Sequence, residues 1–129
     1  MILLDTCVLL WLSDPSYALP EMVKEAIRAA PPSERYVSAI TAFEIGFKHA
    51  IGKLSLPKAP KVWFEESWAR RGLQALPVSS SIAMKASQLP LHHRDPADRF
   101  IISTAMEYGL KILTPDSEYR KYDVEAVWN

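Results

Sequence analysis

Apolar and polar positions along this chain fall into short blocks whose period switches between strand and helix. Ile2-Leu3-Leu4 reads as a first strand; the polar pair Asp5-Thr6 ends it, and an apolar run resumes at Val8-Leu9-Leu10-Trp11. Leu19, Met22, Val23, Ala26, Ile27 and Ala30 recur at helical spacing, with Pro20 near the first turn, and predict an amphipathic helix. Tyr36-Val37 predicts a second strand, followed by a helix from about Thr41 to Ile51 that stops at Gly52. Residues 62–71 predict another helix ending at Gly72, and residues 73–78 a third strand. Ser80 or Ser81 can cap a helix running to Gln88. Asp95 is the predicted N-cap of a further helix, with Pro96 at its first position and Gly109 beyond its end. Its interior from Phe100 to Met106 is apolar on most sides, which predicts burial. Lys111 to Leu113 reads as a fourth strand, and residues 124–128 as a last one.

Strands alternating with helices predict an α/β fold: a mainly parallel central sheet of about four or five strands, with helices on both faces. At 129 residues, without repeats or long linkers, the chain is expected to form a single domain over 1–129. A hydrophobic fraction of 49% and a charged fraction of 23% are ordinary for a soluble chain. No apolar run approaches the roughly 18 residues of a membrane span, and no basic segment leads into an apolar one. The expected location is therefore cytoplasmic. The single cysteine, Cys7, excludes an internal disulfide and a Cys-rich zinc site, and reads as a small buried hydrophobe.

Asp5 stands between two apolar runs, where a carboxylate costs free energy unless water, a donor or a cation meets it. In an open parallel sheet, ligands gather beyond the carboxyl ends of the strands. Asp5 follows the first strand there and Asp116 the fourth, while Glu44 and Asp98 lie in the first turns of two helices. Each has an ordinary alternative. Thr41-Ala42-Phe43-Glu44 forms a capping box, and Glu44 can also pair with Lys48. Asp98 gains from the helix dipole and can pair with Arg99; Asp116 can start a turn. Together, however, four converging carboxylates repel by about 4 kcal/mol for each pair 4 Å apart at an effective dielectric near 20. A divalent cation reverses that sign, and oxygen ligands of this kind suit Mg²⁺ or Mn²⁺. Zinc is disfavoured, because adjacent His92 and His93 point apart and read as a polar loop.

Fifteen basic and fifteen acidic side chains cancel, so net charge names no partner. Between Lys48 and Lys61, though, there are four lysines and His49 without an acid. That segment is either a solvated helix end or a track for phosphates.

The acids, with the segments ILLDTCVLLW, SAITAFEIGFKHAIGKLSLP and HRDPADRFIISTAMEYGLKILTPD, resemble the PIN-domain ribonucleases, most closely VapC-like toxins of toxin–antitoxin pairs. The resemblance spans nearly the whole chain and implies a PIN-like α/β/α sandwich. It implies a metal-dependent endoribonuclease with Asp5, Glu44, Asp98 and Asp116 as catalytic positions. Asp5, Asp98 and Asp116 would hold Mg²⁺ or Mn²⁺, with Glu44 doing so directly or through water. Either Asp95 or Asp98 can face the metal; the N-cap task of Asp95 and the family pattern both favour Asp98. Thr6, Ser38, Thr41, Asp95 and Thr114 are the supporting polar residues, and Lys48, Lys53, Lys58 and Arg99 the expected RNA contacts. Asp116 or Glu44 can take the proton, and the resemblance implies a 5′-phosphate and a 3′-hydroxyl at the cut. It also implies an antitoxin that sets a basic side chain among the acids, and a homodimer.

Rival readings are a DNA-directed nuclease and a non-catalytic binding module of the same fold. An aspartyl-phosphate phosphatase is disfavoured: that chemistry wants a second Asp two residues after Asp5, where Cys7 stands.

Overall fold

A computed structural model describes residues 1–129. Its elements run β1 (Ile2–Leu4), α1 (Thr6–Leu12), α2 (Glu21–Ala29), β2 (Arg35–Ser38), α3 (Ala39–Ala50) and α4 (Pro60–Arg70). Then come β3 (Gln74–Leu76), α5 (Ser80–Gln88), α6 (Pro96–Tyr108), β4 (Lys111–Leu113) and β5 (Ala126–Val127). The five strands form one sheet in the order β3-β2-β1-β4-β5, and every neighbouring pair is parallel. This is the α/β/α sandwich that the alternation of strands and helices predicts.

Strand side chains alternate between faces, and the core divides accordingly. Ile2 and Leu4 of β1 join Leu113 of β4 in a cluster with Val8, Val23, Ile45 and Phe64 from α1 to α4. Leu3 and Ile112, one residue along each strand, face Ile101 and Ile102 of α6 instead. Each of these strand residues is fully or almost fully buried, so a central strand of three residues suffices to anchor helices on both sides. Burial of each such side chain contributes about 1.5–3 kcal/mol. The chain builds outward from β1 through β2 to β3, then crosses to β4 on the other side of β1. The crevice beyond the carboxyl ends of β1 and β4 is therefore the topological switch point.

Local signals set most boundaries. Asp95 caps α6, its carboxylate accepting from the Ala97 N–H at 2.9 Å, with Pro96 in the first turn. Gly109 closes the same helix in the left-handed region, at φ 67°. Two caps lie earlier than the sequence predicts. Ser38, rather than Thr41, caps α3 through the Ile40 N–H, because β2 delivers the chain directly into the helix. The Thr41–Glu44 capping box therefore does not exist, and both side chains are left for other partners. Likewise Ser79, rather than Ser80 or Ser81, caps α5. The apolar run after Asp5 is a short helix, α1, capped by Asp5 itself. β3 and β5 are shorter than their hydrophobic stretches, since each lies at a sheet edge.

Candidate metal centre

Asp5 follows β1 at the switch point, 6% exposed, and both of its oxygens meet protein donors. Oδ1 accepts from the Thr6 N–H at 2.8 Å, and Oδ2 accepts from Thr114 Oγ1 at 2.6 Å. Thr114 comes from the end of β4, and its hydroxyl in turn accepts from the Asp116 N–H at 3.1 Å. Burial pushes the Asp5 carboxyl above its ordinary pKa; the bonds from Thr114 and Thr6 oppose this, and the charge of Asp116 adds to it.

Freed from the capping box, Thr41 is buried and shares a 2.9 Å hydrogen bond with Thr6 Oγ1. The Thr6 hydroxyl donates to Glu44 Oε1 at 2.5 Å, and Lys48 lies 3.7 Å from Glu44 Oε2. Glu44 is pushed up by burial, an effect the Thr6 bond and Lys48 partly offset. Thr6 and Thr41 thus carry Glu44 toward Asp5, whereas Ser38 acts only as a buried helix cap.

Asp98 sits one turn into α6 with both oxygens engaged. Tyr119, a fully buried residue of the 3₁₀ turn Ser117–Lys121, donates to Asp98 Oδ1 at 2.8 Å. His93 Nε2 lies 3.0 Å from Asp98 Oδ2 and 2.8 Å from Asp116 Oδ2. Burial first, then the charge of Asp5, pushes the Asp98 carboxyl up to about 7, despite the Tyr119 bond. Asp116 caps the 3₁₀ turn through the Glu118 N–H at 2.9 Å, the turn its sequence suggests.

These residues frame an open cleft of about 290 Å³ lined by Asp5, Thr6, Glu44, Lys48, Asp95, Asp98 and Asp116, with Cys7 and Pro115. Two sets of potential ligand atoms lie within 4.8 Å of one another: His93, Asp98 and Asp116, and Glu44, Asp95 and Asp98. Asp98 belongs to both. Asp5 lines the same cleft but stands outside both sets; Thr6 and Thr114 each donate to one of its oxygens. The carboxylate oxygens of these sets are hard donors that suit a small divalent cation. The Cys7 thiol is pushed up to about 12 by burial and by the Asp5 and Asp98 charges, so it stays protonated and inert.

Two sequence expectations fail here. Arg99 is not a phosphate contact: it is buried, and its guanidinium donates to the carbonyls of Ala86, Leu89, Pro90 and His93 at 2.6–3.0 Å. Arg99 does not line the acidic cleft and does not pair with Asp98. His93 is not part of an indifferent polar loop. The two histidines do point apart, with the His92 ring edge-on to Tyr122 and the His93 ring turned into the acids. Pointing apart sends one of them inward. The pattern His93-x-Asp95-x-x-Asp98 was the available signal; Tyr119 had none, being one more aromatic in a polar turn. Of the lysines, Lys48 lines the cleft, while Lys58 is held by Glu66 at 2.6 Å and Lys53 lies exposed past the end of α3.

Known proteins share this architecture. The family model described as PIN domain matches residues 2–125. The chain is 30% identical over 122 residues to Ribonuclease VapC22 of Mycobacterium tuberculosis, covering 94% of this chain and 91% of that protein. FitAcB from Neisseria gonorrhoeae, a solved structure, matches at 26% identity and a TM-score of 0.69, covering 100% of this chain and 97% of its own. A toxin–antitoxin complex from Klebsiella pneumoniae contains a chain of the same fold, with a TM-score of 0.66 at 20% identity over 98% and 96% of the two chains.

Proposed function

The chain belongs to the PIN domain family, and from that premise we propose that it is a Mg²⁺- or Mn²⁺-dependent endoribonuclease, the toxin of a toxin–antitoxin pair. One observation carries the reading: Asp98, pushed up to about 7 by burial and Asp5, belongs to both sets of clustered potential ligand atoms. A carboxyl so crowded by like charge is set for a cation to relieve it. The 30% identity to a ribonuclease over most of both chains supports RNA as the substrate, and the toxin–antitoxin complex of the same fold supports a protein partner. A single domain over 1–129 belongs to this reading, since β1 lies at the centre of the sheet and β5 at its edge. So does a homodimer, on the family resemblance.

Asp5, Asp98 and Asp116 would hold the cation, with Glu44 doing so directly or through water and Asp95 capping α6 beside them. When bound, the cation supplies positive charge against the phosphodiester and acidifies water for attack on phosphorus. Thr6 and Thr114 fix Glu44 and Asp5, so these carboxylates need no reorganisation when substrate arrives. Asp116, at 34% exposure more open than Asp98 at 17% or Glu44 at 12%, is placed to take the proton of the attacking water. The P–O bond to the 3′-oxygen of the leaving strand then breaks, and that oxygen takes a proton from solvent to become the 3′-hydroxyl. Lys48 at the cleft wall contacts a flanking phosphate, and unpaired RNA loops suit so open a cleft.

The test is cleavage of end-labelled structured RNA, beside DNA of the same sequence, with Mg²⁺, Mn²⁺ or EDTA. Asp98→Asn should slow RNA cleavage by about 10²–10³-fold, the equivalent of several kcal/mol of charge stabilisation, with the fold intact. Cleavage at the wild-type rate, or in EDTA, would overturn the reading; preferential cleavage of DNA would reassign the substrate.

A further inference from the structure

His93 stands against two of the cleft acids, Asp98 and Asp116, and the proposed chemistry gives it no task. Its ring stands edge-on to Tyr119, with centroids 5.6 Å apart, and is largely buried. The backbone N–H of Asp95 meets Nδ1 at 3.3 Å, which puts the neutral ring's proton on Nε2. A charged ring carries a proton there too, so Nε2 donates in either state. That donor faces Asp116 Oδ2 at 2.8 Å and Asp98 Oδ2 at 3.0 Å, spanning the turn after β4 and the first turn of α6.

The backbone beneath the ring is held from two sides. Arg99 donates to the carbonyls of Leu89, Pro90 and His93, and so fastens the loop to α6. Tyr122 Oη accepts from the His93 N–H at 2.7 Å and donates to the Pro90 carbonyl at 2.6 Å. The loop thus has few ways to move, and the imidazole is presented in one orientation.

We infer that His93 is a positioning residue for the metal centre: its Nε2–H ties Asp98 to Asp116 and fixes the spacing of these two ligands. This inference rests on the metal-centre reading above. An ionised carboxylate offers about four lone-pair sites, so one donor on an oxygen leaves a second lone pair free. Tyr119 and His93 each occupy one side of Asp98; Glu118 N–H and His93 do the same for Asp116. Both carboxylates are therefore aimed, with acceptor capacity to spare for a cation.

The test is Mn²⁺ binding by calorimetry to the full chain, for wild type, His93→Ala and His93→Gln, with melting temperatures in EDTA. Glutamine keeps an N–H donor near the place of Nε2, while alanine removes it. His93→Ala should bind Mn²⁺ about 10–100-fold more weakly, the usual cost of losing a partner that orients a ligand, and His93→Gln should recover at least about tenfold of that. The recovery should occur even where the two variants melt at the same temperature. Equal binding by wild type and His93→Ala would overturn this inference alone, and so would tighter binding by His93→Ala, which would make His93 a competitor of the cation. Equally weak binding by both variants would reduce His93 to packing and overturn it as well. A wild-type protein that binds no Mn²⁺ would overturn the metal-centre reading and this inference together.

Discussion

Thr114 Oγ1 donates to Asp5 Oδ2 at 2.6 Å, joining residues 109 positions apart. The bond exists because β1 and β4 are parallel neighbours, in register from Ile2 against Lys111 to Leu4 against Leu113. The Asp5 N–H continues the pairing to the Leu113 carbonyl at 3.0 Å. A buried carboxylate is thereby fixed at the centre of the sheet edge, within the field of three other acids.

Replacing Asp5 by Asn tests whether that arrangement stores repulsion. The Thr6 N–H keeps its acceptor, and the Thr114 hydroxyl can reverse from donor to acceptor. With the burial cost of the charge removed, Asp5→Asn should melt higher than wild type in EDTA; each 1 kcal/mol corresponds to about 4 °C. Mn²⁺ at about 100 times its Kd should stabilise wild type by about 2.7 kcal/mol, and the variant by less. Thermal melts decide it. A variant that melts lower in EDTA, with equal metal shifts in both proteins, would reduce Asp5 to a helix cap.

The pH dependence of the metal-free protein follows from Asp98. Its carboxyl is raised from 3.8 to about 7, so the folded protein holds a proton that the unfolded chain releases over that interval. Stability must then fall as pH rises from about 4 to about 7, while affinity for a cation, which needs the ionised form, rises. His93 continues the decline above its ordinary pKa of 6.5: burial disfavours its charge, but the Asp116 bond and the Asp98 and Asp116 charges prevail and raise its pKa. Melts across this window, with and without Mn²⁺, should converge toward low pH and separate toward neutrality. Parallel curves would remove Asp98 from the metal centre.

Arg99 offers a prediction of stability without one of binding. In Arg99→Lys, one ammonium cannot reach the four carbonyls that the guanidinium serves. A destabilisation of about 3 kcal/mol is expected, read by urea unfolding. In Arg99→Gln, which also removes the charge, the salt dependence of RNA binding by protein still folded should not change. A flatter salt dependence at wild-type stability would restore Arg99 as a phosphate ligand.

The lysines divide by position. Lys48→Gln should weaken RNA binding and reduce the salt slope by about 0.7, the share of one neutralised phosphate on a single strand. Lys58→Gln, whose parent is paired with Glu66, should change the slope little. Binding measured over a range of salt concentrations separates them, and identical slopes for wild type and Lys48→Gln would return the segment to a solvated surface.

Some features were fixed by neighbours along the chain and were therefore legible in it. The Ile2-Leu3-Leu4 and Lys111-Ile112-Leu113 runs pair as written, and Asp95-Pro96 and Gly109 bound α6, because strand period and capping depend on residues one turn away. The placement of Asp5 and Asp116 beyond parallel strands followed from the same alternation. The folded protein alone decided where polar side chains from turns would aim. Thr41 was free to reach Thr6 only because β2 feeds α3 at Ser38, one turn before the apparent cap. Arg99 adjoins Asp98 in sequence, yet a helix turns consecutive side chains about 100° apart, so one lines the cleft and the other is buried against α5 and its following loop. His93 and Tyr119 meet Asp116 and Asp98 across 23 and 21 residues respectively, distances over which no local propensity acts. Their direction is set by packing of the loop and the 3₁₀ turn against α6, and that packing is where the ligand geometry of the cleft resides.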